Sequence, residues 1–67
     1  MQYFTGKFQG RIPIIKEDPA AAEVIEDPNA AYYISVLLGA IYGGREWSVQ
    51  PQIPGEQPNH NFIVCRE

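Results

Sequence analysis

The chain has almost none of the residues that small domains use as covalent or metal staples. Cys65 is the only cysteine, so no disulfide can close within the chain. His60 is the only histidine, which leaves a Cys/His metal site without its ligands. Positive charge is also sparse. Lys7, Arg11, Lys16, Arg45 and Arg66 are scattered, against eight acidic residues, for a net charge of −3. The basic footprint that nucleic-acid binding requires is missing. No Walker A or G-x-G-x-x-G glycine pattern occurs to hold a nucleotide in the usual way. No N-terminal stretch combines a charged start with an apolar run, so the expected setting is reduced and cytoplasmic. The longest charge-free run, residues 28–44, stops short of the roughly 20 apolar residues that cross a bilayer. Pro28, Asn29, Ser35, three tyrosines and three glycines also interrupt it. No membrane association is expected.

Sixty-seven residues make a single domain, 1–67. A chain of this size buries only about 60% of its unfolded surface. With disulfide and metal set aside, self-association is the remaining aid to stability.

What the chain does have is a doubled phrase. Glu17-Asp18-Pro19 recurs nine residues later as Glu26-Asp27-Pro28. Each copy has the chemistry of a helix start. Aspartate at the N-cap accepts bonds from first-turn N–H groups, and proline at the first helical position gives up a donor that has no helical partner. The first copy has room for only about two turns, because Pro28 disfavours helical geometry at Asp27. The second can launch a helix from 28 to about 42, ended by Gly43-Gly44 with one glycine in a left-handed cap. Arg45 follows, where a cation suits the negative end of the helix dipole.

Strand patterns flank these helices. Residues 3–8 alternate, with Phe4 and Phe8 on one side. Gln9-Gly10 suits a tight turn. Residues 11–16 form a second strand in which Pro13 demands an edge or a bulge. Residues 45–50 alternate with Trp47 and Val49 on one face. Residues 51–59 form a loop with three prolines. Residues 60–66 are apolar on both faces, as in a central strand. The resulting α+β fold, β-β-α-α-β-β, is a small antiparallel sheet of three or four strands with the main helix across one face.

The main helix is apolar on two sides. Ala30, Tyr33, Ile34, Leu37, Leu38 and Ile41 have the spacing of a core-facing stripe. The opposite side carries Ala31, Tyr32, Ser35, Val36, Gly39, Tyr42 and Gly43, with a small residue at every fourth position. Such a row admits the close approach of another backbone. This second face is the candidate binding surface, covered by a second copy, by another protein, or by the chain's own loop 51–59.

Chemistry is thinly represented. His60 and Cys65 are separated by an odd number of strand positions and should face opposite ways. Cys65 fits a small buried hydrophobe, and helix capping accounts for the two carboxylate pairs. No catalytic residue, cofactor or metal is assigned. The expected function is that of a small non-enzymatic binding protein acting as a homo-oligomer. Compact, acidic, motif-free chains of this kind suit inhibitors of larger proteins, including virus-encoded antagonists of host machinery. The alternative is a sequestering protein that holds a small anionic nucleotide between protomers. Lys7, Arg11 or Arg45 would then neutralise phosphate, and Tyr32, Tyr42 or Trp47 would stack on the base.

Overall fold

The computed structural model describes residues 1–43, 47–52 and 61–67. Strands β1 (Gln2–Gln9), β2 (Ile12–Lys16), β3 (Ser48–Pro51) and β4 (Phe62–Arg66) form one antiparallel sheet in the order β2-β1-β4-β3. The helix α1 (Pro28–Tyr42) packs against it over β3 and β4. The α+β architecture is therefore as expected from the sequence, with four strands. As expected, β4 is central and β2 lies at an edge. His60, Arg45 and residues 53–59 of the expected loop lie outside the described residues.

The β1–β2 hairpin turns one residue later than expected. Gln9 pairs with Ile12, so Gly10-Arg11 forms the two-residue loop. Gly10 has φ +65°, and no described non-glycine residue has positive φ. Positive φ at the first central residue alone is the type II′ pattern, which suits the twist of paired strands. Farther along, Phe4 pairs with Ile15 but Phe8 pairs with Pro13. Four steps on β1 thus match two on β2, and the surplus forms a bulge at Thr5-Gly6-Lys7. The Thr5 hydroxyl donates to the Ile14 carbonyl at 2.8 Å and accepts the Lys7 N–H at 3.3 Å. Gly6, at φ +76°, makes the bend and leaves room for the Glu23 side chain beside it.

The first Glu-Asp-Pro copy does not make a two-turn helix. Asp18 caps Ala20 N–H at 2.9 Å, but only a 3₁₀ turn, Pro19–Ala21, follows. The chain then extends and finds tertiary partners. Glu23 N–H donates to the Phe4 carbonyl, and Ile25 exchanges two backbone bonds with Phe62, each 2.8 Å long. A short helix leaves most of its end groups unpaired. These bonds satisfy backbone groups and bring Ile25 against the core.

The largest correction concerns the rotation of α1. The residues it buries are Ala31, Ser35 and Leu38, with Ile34 partly covered. Tyr33 and Ile41, expected inside, are exposed, whereas Ala31 and Ser35, expected outside, face the core. At roughly 100° per residue, the buried stripe is turned by about 90° from the expected one. Size explains the turn. Small side chains on the inner stripe let the helix lie close to the sheet beside Trp47, and the bulky Tyr33 takes the outside. The core comprises Phe4, Ala31, Leu38, Trp47 and Val64.

Candidate functional site

The second copy of the acidic phrase positions the outer face of α1. Asp27, with extended backbone, accepts the Asn29 N–H at 2.9 Å, and Pro28 opens the helix. Fifteen residues later α1 ends at Gly43, whose φ is +63° with an extended ψ of −170°. The positive φ is as expected, but the ψ is not left-handed helical. Its N–H still donates to the Gly39 carbonyl at 2.8 Å.

Large apolar side chains stand on the solvent side of this helix. Tyr33 is 67% exposed, Tyr32 66%, Val36 54% and Ile41 40%. Two of them border a groove of about 290 Å³ lined by Tyr32, Ser35, Val36, Gly39 and Trp47. Gly39 keeps the groove open, since a β-carbon there would meet nothing within 4 Å. The Ser35 hydroxyl donates back to the Tyr32 carbonyl at 2.6 Å, so its donor is satisfied inside the helix. The groove's other wall is Trp47, at the foot of the edge strand β3.

The expected binding face is therefore divided. Tyr32, Val36 and Gly39 do lie at an accessible surface. Ala31 and Ser35 are committed to packing on the sheet. Tyr42 reaches the other way, with its hydroxyl donating to the Pro13 carbonyl on β2 and its ring 6.2 Å from that of Trp47. Gly43 presents its carbonyl to Arg66.

Two of the expected cations, Lys7 and Arg11, do not line the groove, and the third, Arg45, lies outside the described residues. Lys7 and Arg11 are exposed on the β1–β2 hairpin. Among the described residues, the cation beside Trp47 is Arg66, which was not among the expected contacts. Its guanidinium carbon lies 4.6 Å from the Trp47 ring centroid. Its Nε donates to Gln2 Oε1 and its Nη1 to the Gly43 carbonyl, both at 2.8 Å. Arg66 therefore caps the negative end of α1, the role expected of Arg45. One signal could have revealed it: strand alternation puts Arg66 on the same face as Phe62 and Val64, an arginine at the rim of a core stripe.

Cys65 is buried as expected, and burial pushes its thiol above the ordinary value. A thiol held protonated is a poor nucleophile. It faces the side of the sheet away from α1, beside a hollow of about 420 Å³ bordered by Tyr3, Ala20, Val24, Gln50 and Ile63. The carboxylates of Asp18 and Asp27 accept capping bonds, as expected. No described helix is long and apolar enough to cross a membrane. Comparison with family models, curated proteins and solved structures finds no match to this chain.

Proposed function

We propose that this chain is a small non-enzymatic binding protein that works as a homo-oligomer, acting by covering a surface rather than by turning over a substrate. The observation that carries this reading is the outer side of α1, where Tyr32, Tyr33 and Val36 are all exposed within one helical arc. Side chains of this kind sit together on a helix when something packs on them. Tyrosine suits such a surface, since it supplies a large apolar ring with a polar tip.

Burying Tyr32 and Val36 on both copies would contribute on the order of 6–12 kcal/mol at about 1.5–3 each. Association costs an estimated 4–15 kcal/mol. Side chains alone leave the balance close, so a stable oligomer needs backbone contacts as well.

Light scattering on the purified protein tests the reading. The wild type is expected to have at least twice the monomer mass. Tyr32→Glu and Val36→Glu should each return it to a monomer with an unchanged circular dichroism spectrum, because both side chains are exposed within one copy. A wild-type protein that stays monomeric at tens of micromolar would overturn the reading.

A further inference from the structure

The two edges of the sheet carry different chemistry. On β4, Phe62 exchanges both backbone bonds with Ile25, so it turns its N–H and C=O away from β3. Asn61 turns toward β3, and its carbonyl accepts the Gln52 N–H at 2.9 Å. Backbone direction alternates along antiparallel strands. Following the register, Ser48 and Gln50 point inward to Cys65 and Ile63, whereas Val49 and Pro51 point outward. Trp47, next in the alternation, also points outward. Pro51 therefore sits where its missing N–H removes no bond to β4. Among the described residues, nothing pairs with the outward N–H and C=O of Val49.

The β2 edge is blunted by comparison. The hairpin register turns Pro13 outward, so that edge lacks a donor there, and its carbonyl already accepts the Tyr42 hydroxyl. The neighbouring bulge at Thr5-Gly6-Lys7 adds twist, which works against edge-to-edge pairing.

We infer that β3 pairs antiparallel with β3 of a second copy, about a two-fold axis at Val49, and joins two four-stranded sheets into one. The sequence of β3 suits this symmetry. Val49 of each copy exchanges its two backbone bonds with Val49 of the other. Trp47 N–H donates to the Pro51 carbonyl across the axis, so each proline is asked mainly for an acceptor. Because the β2 edge is blunted, the pairing closes at two copies instead of growing into a filament.

The two-fold places both α1 helices on the same side of the joined sheet. Tyr32 and Val36 stand on the flank of α1 that shares the groove with Trp47, the flank beside the β3 edge. The edge pairing thus brings these exposed side chains toward their counterparts. The inference rests on the self-association reading above and supplies its central contact.

Amide hydrogen exchange on the whole chain, read together with light scattering, tests it. The Val49 amide should exchange slowly where the dimer forms and quickly after dilution to monomer. The Ser48 and Gln50 amides should be slow in both states, because their bonds lie within one copy. Val49→Pro removes the outward donor without touching a bond to β4, and Val49→Ala serves as the control for the lost side-chain packing on the core. Losing two bonds of ordinary net strength per dimer should weaken dimerisation about 30-fold. If that variant does not fold, wild-type exchange decides. A dimer whose Val49 amide exchanges as fast as a solvated one overturns the edge pairing and leaves self-association standing. A monomer overturns both.

Discussion

Two copies of one phrase begin alike and end differently. Asp18 and Asp27 each hold the N–H two residues ahead at 2.9 Å, and each is followed by proline. After Pro19 the helix lasts three residues; after Pro28 it lasts fifteen. The cap starts a helix without deciding its length. Length follows from what the next residues can bury or bond. Ala31, Ile34, Ser35 and Leu38 form a stripe that packs on the sheet over about two turns. Glu23 and Ile25 instead give their backbone to Phe4 and Phe62.

The tertiary partners of the first copy should therefore matter more than its cap. Ile25→Ala removes a side chain packed on the core next to the bridge with Phe62. It should destabilise the fold by about 2–3 kcal/mol, measured by urea denaturation. A loss no larger than that of a surface substitution would mean that the bridge does not hold this segment.

Gly6 tests the same segment from the opposite side. Gly6→Ala places a β-carbon on a positive-φ backbone, against the Glu23 carboxylate. Glu23 is exposed and can swing aside, so backbone strain dominates, at about 1–2 kcal/mol. The loss should persist in the Glu23→Ala background. If Glu23→Ala abolishes it, steric contact and not φ is the cause.

The caps sharpen the comparison directly. Asp27→Ala should cost about 1 kcal/mol, since a whole helix depends on that start. Asp18→Ala, before a single 3₁₀ turn, should cost about half as much or less by the same measure. Equal losses in paired thermal melts would show that both copies carry the same weight.

The sequence made the second helix legible almost to the residue, because capping, proline and glycine are local signals that act within one turn. The presence of four strands and the central place of β4 followed from alternation and two-faced apolarity, but β3 runs Ser48–Pro51 and takes in a proline expected in the loop. The rotation of α1 was hidden. A helix apolar on every side has several stripes that satisfy periodicity, and the choice among them depended on which side chains could fit beside Trp47. Ala31 and Ser35 fit there, and Tyr33 does not. The fate of the first copy was hidden for a related reason: the bonds from Glu23 and Ile25 go to residues far along the chain. At the groove, Tyr32, Val36 and Gly39 were legible from the surplus apolar face. Arg66 was not, because its partners Gln2, Gly43 and Trp47 come from three separate parts of the chain.

The central position of β4 sets an order on folding. It follows β1, β2, α1 and β3 in the chain, yet β1, β3 and Ile25 all pair with it. Before residues 62–66 emerge, the hairpin and the helix can meet only through contacts such as the Tyr42–Pro13 bond, without the strand between them that carries Val64 into the core. The Gln2–Arg66 contact joins residues 64 positions apart, so closure pays the entropy of nearly the whole chain at once. Folding should therefore be a late, single step, with little stable structure in chains that stop short of β4.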